Sequence, residues 1–330
     1  MTGHVLAMDG VLKELQDHAD HPSAFLAMNT GNEYFTVPGR AGVIAYRSAG
    51  RYLMQFGGVF APEGAREELL RDFLDFARAR RSTVAAVQLQ SEDVSLYARC
   101  GFTVNQVGAS YSLRLTEFGL KGSRFVKLRN KVSRARRSGL TVSEEPYEAM
   151  ADAVRAIDRQ WLRGKGRHVK EIEFLVGQLG GPGQAHRRLF AGRIAGEPVA
   201  YISYAPAFGR RPGLLHDLSR RVPRSAPGLL EAINLTAVET FRAEGAEWLH
   251  LGFTPFTGLA PEHEAPSASR PTAWFLRQLA AHGEKVYPAA SQLAYKQKWA
   301  PHLVLPEYLA FQGRARAGAI WRLLRVTNSL

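Results

Sequence analysis

The stretch "LLHDLSRRVPRSAPGLL", Leu214 to Leu230, sets Asp217, Arg220, Arg221 and Arg224 into one crossing from an apolar run to a helix-forming run, with Pro223 and Pro227 between them. A turn that merely connects two elements needs Gly, Ser and one charge. A carboxylate and a guanidinium three residues apart add the means to hold an anion and to move a proton. "GLLHDLSRR" reads as a strand with Asp217 and Arg220 near its end, and in α/β lobes ligands gather outside the carboxyl ends of strands. The helix after it begins near Pro227–Gly228, so its free N–H groups and positive dipole end face the same space, and Glu231 falls in its first turn. Such a set suits an anion, or a carbonyl oxygen gaining negative charge. A second reading stands beside it: Asp217 and Arg220 as a buried ion pair that stabilises the turn.

Two other clusters carry charge beside an aromatic. "AYKQKWAP", Ala294 to Pro301, reads as a strand that projects Lys296 and Lys298 to one face and Trp299 to the other. Two lysines so placed either meet an anion or guard an exposed sheet edge. In "DRQWLRGKGR", Asp158 to Arg167, Trp161 taken alone reads as a core anchor of its helix, and the basic turn through Lys165 suits an acidic or phosphate-bearing ligand. No G-x-S-x-G, P-loop or H-E-x-x-H pattern occurs. His18, His21 and the Glu262-His263-Glu264 triplet are too sparse for a metal site, so no metal is expected.

The elements that must position these groups follow from periodicity and turn residues. After a first helix at about residues 10–20 come short strands, "AFLAMN", "EYFTVP", "GVIAYRS" and "RYLMQFGGVF". A helix from Pro62 to Arg81 follows, acidic at its start and basic at its end, then the buried strand "TVAAVQLQ" and a short helix running into "LYARCGF". Strands, helix, strand and a short helix ending in that aromatic–x–x–x–Gly–Phe element resemble an acetyltransferase-like (GNAT) lobe. "KGSRFVKLRNKVSRARRSG", residues 121–139, reads as a helix with Phe125, Leu128 and Val132 as its apolar stripe and Gly139 as its C-cap. Its remaining surface is almost all basic. Lys121, Arg124, Lys127, Arg129, Lys131, Arg134, Arg136 and Arg137 form either a solvated connector or a ridge against nucleic-acid phosphates.

Beyond it the order repeats: a helix over "EEPYEAMADAVRAIDRQWLRG", a second short helix over "EIEFLVGQLG", a hairpin turning at Ala195–Gly196, then the crossing quoted first, a helix, and the strand "WLHLGFTP". The polar, Pro-rich "GLAPEHEAPSASRP" reads as a mobile connector before the helix "PTAWFLRQLAAHG". The expected fold is therefore α/β (α+β): tandem GNAT-like lobes at residues 1–118 and 141–330, joined by a basic helix at 119–140.

Bulk properties bound the partners. The 330 residues carry 43 Lys and Arg against 30 Asp and Glu, a net charge of +13, which favours a polyanion, either nucleic acid or an anionic membrane surface. The single cysteine, Cys100, fits a reducing compartment. Neither a signal-peptide pattern nor a run of about 18 apolar residues occurs, so the expected location is cytoplasmic.

The second half also resembles the aminoacyl-transferase domain of the phosphatidylglycerol lysyltransferases, the multiple peptide resistance factor family. The resemblance runs through "DLSR" at Asp217–Arg220, Gly228, Glu231, "LGFTPF" at Leu251–Phe256 with Gly252, "KQKWAP" with Lys296 and Lys298, and "EYLAF"; it also takes in "DRQWLRGK" and the basic connector. It implies a tandem GNAT-like enzyme that moves an amino acid from aminoacyl-tRNA, as co-substrate and without a cofactor, to an acceptor hydroxyl. It also implies that Asp217 and Arg220 are essential and that Lys296 or Lys298 holds phosphate. Arg220 and the helix start at Gly228 would meet the oxyanion, and Asp217 or Glu231 the α-ammonium or the acceptor's proton. Lipid-modifying members carry a long membrane-spanning flippase region that these residues lack. The expectation is therefore a soluble form, its acceptor open between a phosphatidylglycerol-type lipid head group and a small hydroxyl or hydroxylamine metabolite. An acetyl-CoA-dependent N-acetyltransferase is the alternative, although "RSAPGLLEA" lacks the second small residue of a pyrophosphate loop. The terminal "RARAGAIWRLLRVTNSL" sets Ala317, Ile320, Trp321 and Leu324 in a stripe flanked by arginines; it reads equally as a peripheral contact with the inner membrane surface and as a packed helix.

Overall fold

The structure, a computed structural model, describes residues 6–165, 173–282 and 289–327. Helix α1 (Met8–His18) leads into a 3-10 turn at Ala24–Met28, then β1 (Glu33–Phe35), β2 (Val43–Ala49) and β3 (Tyr52–Phe60). Next come α2 (Arg66–Ala79), β4 (Thr83–Leu89), α3 (Ser91–Arg99), β5 (Phe102–Arg114) and the basic α4 (Val126–Arg137). The second half runs β6 (Leu140–Glu145), α5 (Tyr147–Lys165), β7 (Arg188–Ile194), β8 (Glu197–Ala207), β9 (Gly213–Arg221), α6 (Leu229–Ala243) and β10 (Trp248–Pro255). It closes with α7 (Arg270–His282), α8 (Ala289–Gln297), β11 (Leu303–Gln312) and α9 (Ala317–Val326).

All strands join one sheet in the order β1-β2-β3-β4-β11-β5-β10-β9-β8-β7-β6. The succession is mirrored about the central β11–β5 pair. On one side β3 runs parallel to β4 across α2, and on the other β9 runs parallel to β10 across α6. These are two GNAT-like lobes that exchange their last strands, since β11 lies between β4 and β5 while β5 pairs with β10. Each parallel pair is short: β9 and β10 match only from Gly213 to Leu215 against Trp248 to His250, and then part. The hairpin of β7 and β8 turns at Ala195 and Gly196, both at positive φ, as a two-residue turn of the favoured hand requires.

Helices α4 and α6 share one core. Leu128, Val132 and Ala135 of α4 pack with Leu229, Ala232, Ile233 and Val238 of α6, each large side chain contributing about 1.5–3 kcal/mol of burial. On the other face of the second half, α5 lays Met150, Val154 and Ile157 over Leu189, Ala191 and Tyr201.

Three local expectations fail. "AFLAMN" closes into a 3-10 turn whose apolar side chains are all buried, not a strand. Of "EIEFLVGQLG", the described part from Glu173 onward is irregular, with Phe174 at positive φ, and not helical. The connector at 258–271 is pinned rather than loose: Gln106 bonds Gly258 and Ala260, and Asn105 accepts from the Ser269 N–H. In α9 the buried and half-buried face is Ala319, Ile320, Leu323 and Val326, whereas Trp321 points outward.

Candidate active site

Where β9 leaves β10, its backbone bulges. Tyr204 faces His216 and Ser203 faces Leu218, so Asp217 is the extra residue and is aimed off the ladder. Its carboxyl is fully buried and accepts from Arg187 Nε at 2.9 Å; Asp217 Oδ1 has no hydrogen-bond partner among the described residues. Burial pushes the Asp217 pKa up, and the Arg187 guanidinium opposes this. Arg187 also donates to Asn29 Oδ1 at 2.8 Å and lies 4.9 Å over the Phe25 ring, so the first half of the chain holds the partner of Asp217. Gly177 packs so close to the carboxyl that a Cβ there would collide with it.

Arg220 does not pair with Asp217. It is 3% exposed, lies 4.5 Å over the Trp161 ring, and approaches Asp158 Oδ1 at 3.3 Å. The same Asp158 oxygen accepts from the Tyr201 hydroxyl at 2.5 Å. The reading of Asp217 and Arg220 as one ion pair is therefore corrected. The bulge sends each to its own partner, Asp217 to Arg187 just before β7 and Arg220 to Asp158 of α5.

At the start of α6, Glu231 Oε1 accepts from Lys131 Nζ of α4 and from Lys298 Nζ, each at 3.1 Å. Burial pushes the Glu231 carboxyl up, yet Lys298 and Lys131 together hold it below its ordinary value. Gly228 caps this helix at φ 91, and a Cβ on it would strike the Lys131 carbonyl, so glycine is what lets α4 and α6 approach here.

Lys296 and Lys298 are not on a strand. Lys296 lies in the last turn of α8 and Lys298 just beyond it, because the apolar spacing of "LAYKQKW" buries Lys296 and Trp299 by a helical turn. Lys296 Nζ donates to the carbonyls of Gly252 at 2.6 Å and Phe253 at 2.9 Å, just past the point where β10 loses β9 as a partner. Burial lowers its pKa to about 7 despite Glu307 nearby. Glu307 of β11 is fully buried, accepts from the Ser110 hydroxyl, and stands 3.8 Å from His21 Nε2; burial raises it to about 8. His216 bridges these clusters. Its ring lies 5.6 Å from Tyr204 and 5.8 Å from Tyr295, and burial with the Lys296 charge drives it to about 3, so it stays neutral.

The contacts thus group these side chains into Arg187–Asp217, Lys296 with the Gly252 and Phe253 carbonyls, and Glu231 with Lys131 and Lys298. Arg220 with Trp161 stands further along β9, and the Lys165 side chain lies outside the described residues. Lys121 and Arg124, which precede α4, and Lys127, Arg129, Arg134, Arg136 and Arg137 on it are exposed, whereas Lys131 is drawn in to Glu231. A groove of about 590 Å³ between α4 and α6 is walled by Arg129, Arg136 and Arg137 over Val132 and Leu235. A second, of about 320 Å³, runs past Tyr147, Glu148 and Gln184 to Arg187. Arg187, Asn29, Tyr201 and Glu307 carry no local signal, since their partners are distant in the chain. Asp158 had one: it stands at i, i+3 to Trp161 on a helix.

Comparisons with known proteins agree with this architecture. The structure is similar to that of L-PGS from Bacillus licheniformis, with a TM-score of 0.80 at 20% identity over 100% of this chain and 99% of that one. It is also similar to the C-terminal domain of a putative lysylphosphatidylglycerol synthetase from Agrobacterium fabrum, with a TM-score of 0.77 at 21% identity over 98% and 95% of the two chains. In sequence it is 24% identical to the phosphatidylglycerol lysyltransferase of Bacillus subtilis (strain 168) over 84% of this chain and 32% of that protein. It is 26% identical to the lysylphosphatidylglycerol biosynthesis bifunctional protein LysX of Mycobacterium avium (strain 104) over 93% and 26%. The chain therefore spans about a third or less of these relatives. The family model "Phosphatidylglycerol lysyltransferase, C-terminal" matches residues 12–311, and the chain belongs to that family.

Proposed function

We propose that the chain is an aminoacyltransferase that moves an amino acid from aminoacyl-tRNA to a hydroxyl of a phosphatidylglycerol-type lipid. The observation that carries this reading is the parting of β9 and β10: Asp217 lies just past it on β9, and Lys296 donates to the Gly252 and Phe253 carbonyls just past it on β10. The ester of aminoacyl-tRNA is already activated, so the protein has to orient the acceptor and stabilise charge. The acceptor oxygen attacks the ester carbonyl carbon, the carbonyl electrons move to oxygen, and the C–O bond to the tRNA ribose then breaks. The acceptor's proton leaves to a base, and the ribose oxygen takes one up. Arg220 and the α6 start at Gly228 serve the oxyanion. Asp217 or Glu231 takes the α-ammonium or the acceptor's proton. Lys298, half-buried, is placed for the lipid phosphate, while Lys296 props the open edge of β10. Trp161 holds Arg220 flat, and the exposed α4 ridge receives tRNA phosphates.

Acetyl-CoA suits the site less well. Its pyrophosphate would have to lie against the α6 start, where "RSAPGLLEA" lacks the second small residue of a pyrophosphate loop. Among the described residues no helix is long and apolar enough to cross a membrane, so a lipid acceptor is met at a surface, with α9 as one contact. Total tRNA charged with labelled amino acids, incubated with the chain and phosphatidylglycerol vesicles, tests the reading. Label should enter the organic phase and vanish after ribonuclease treatment of the tRNA; label that stays with tRNA in the presence of active chain overturns it.

A further inference from the structure

Seven of the thirteen net positive charges fall in residues 270–330, where nine Lys and Arg stand against Glu284 and Glu307. The same segment holds the large apolar side chains that are most exposed among the described residues, Trp274 at 61% and Trp321 at 55%. Trp321 belongs to α9. Trp274 belongs to α7, beside Phe275, which is 44% exposed.

Helix α7 packs by Ala273 and Leu276 alone among its fully buried residues. Its outer face carries Pro271, Trp274, Phe275 and Gln278 at i, i+3, i+4 and i+7, all exposed. Arg270 and Arg277 flank that face, and the helix contains no Asp or Glu; the nearest carboxylate is Glu264, 3.7 Å from Arg277. A core helix would turn a Trp–Phe pair inward, and a solvated helix would not carry one. Apolar rings flanked by arginines, without acids, match the boundary between anionic headgroups and acyl chains. Each basic side chain near such a surface strengthens partitioning about fivefold. The place of α7 gives the surface a use. It follows the carboxyl end of β10, its start is pinned to β5 through Asn105, and it precedes α8, which delivers Lys296 and Lys298.

We propose that α7 is a bilayer-contact element, which lays Trp274 and Phe275 into the headgroup boundary of an anionic membrane and so brings a lipid acceptor to the end of β10. The inference rests on the lipid-acceptor reading above for its purpose, and its test is independent of turnover. The full chain is titrated with phosphatidylcholine vesicles containing phosphatidylserine, an anionic lipid outside the proposed acceptor class, with brominated acyl chains to quench tryptophan. Binding and quenching are expected. Trp274→Phe should remove most of the quenched emission, and the double variant Trp274→Ala, Phe275→Ala should weaken binding about tenfold or more while Trp321→Ala weakens it less. Unchanged vesicle affinity in the double variant overturns the proposal. So does a loss of self-association or of tRNA affinity in that variant while vesicle binding stays, since the face then serves a second copy or the nucleic acid. If the lipid-acceptor reading alone is wrong, vesicle binding through Trp274 persists while no label reaches lipid. If only the α7 inference is wrong, label still reaches lipid and binding ignores Trp274.

Discussion

Arg187 Nε donates to Asp217 Oδ2 at 2.9 Å, with side-chain exposures of 1% and 0%, and the same guanidinium reaches Asn29, 158 residues away along the chain. One buried cation therefore fixes a carboxylate at the β9 bulge and ties it to the 3-10 turn of the first half. The geometry of the proposed site belongs to both halves, although its motif residues come from the second.

Removing either partner should have different consequences. Arg187→Ala leaves Asp217 buried without a counter-charge, which costs about 3–5 kcal/mol unless the carboxyl takes a proton. Arg187→Lys keeps the charge and gives up the planar fork that bonds Asp217 and Asn29 together, so its loss should be intermediate. Urea unfolding orders the three proteins. Asp217→Asn should retain the fold and lose transfer; full activity in that variant would remove Asp217 from the chemistry.

Glu231 makes a prediction in pH. Its folded pKa is held below the ordinary carboxylate value by Lys298 and Lys131, so its stabilising effect is present above about 4.3 and is lost as pH falls through the depressed folded value. Because Lys131 is 41% exposed and Lys298 29%, solvent screens the pair, and Glu231→Gln should cost about 1 kcal/mol near neutrality. Melting curves between neutral and acid pH should show the native protein and the variant converging at the acid end.

Much of this organisation was legible in the chain. Asp217, Gly228 and Glu231 stand where a strand, a turn and a helix start are expected, and the repeated element order announces two lobes. The partners of Asp217 and Arg220 were not legible, because spacing of three in a strand says nothing about a bulge that separates them. "YKQKW" alternates over five residues as a strand does, whereas burial of Lys296 and Trp299 needs the helical turn that α8 supplies. The exchange of β11 into the first lobe carries no local signal at all, since its register depends on β4 and β5, roughly two hundred residues away.

The α4 ridge predicts a salt dependence. Arg136 and Arg137 are exposed on the wall of the groove between α4 and α6, without carboxylate partners among the described ion pairs. If each meets one phosphate of aminoacyl-tRNA, Arg136→Ala and Arg137→Ala should each reduce the slope of log affinity against log salt by about 0.7–0.9. Filter binding over a range of salt measures the slope; an unaltered slope in the double variant would place the tRNA elsewhere.

Gly228→Ala should destabilise strongly for its size. The residue sits at φ 91 and a Cβ would strike the Lys131 carbonyl, so both the backbone energy and the approach of α4 to α6 are disturbed. The left-handed conformation alone costs about 1–3 kcal/mol for a residue with a side chain, and separation of the two helices adds to it. Transfer activity should fall with it, because Lys131 then no longer reaches Glu231. Thermal unfolding and turnover of the same variant check both statements.

The buried Glu307 gives stability an opposite pH sense to Glu231. Its folded pKa is raised from an ordinary 4.5 to about 8, so between those values the native state holds a proton that the unfolded chain has released. Its contribution is complete below 4.5 and declines as pH rises toward 8. Lys296, lowered to about 7, acts against the native state as pH falls from 10.5 toward 7, and the two effects overlap around neutrality. Glu307→Gln keeps an uncharged acceptor for Ser110 and removes that titration, whereas His21, His216 and His250, lowered to about 4, 3 and 4, titrate in both proteins, so the variant should gain stability on the native protein as pH rises from about 5 to 8. Urea midpoints at those two pH values decide it. A variant that gains nothing on the native protein between those two pH values would mean that Glu307 is ionised there, as an ion pair with Lys296, and that the carbonyls of Gly252 and Phe253 hold a charged ammonium.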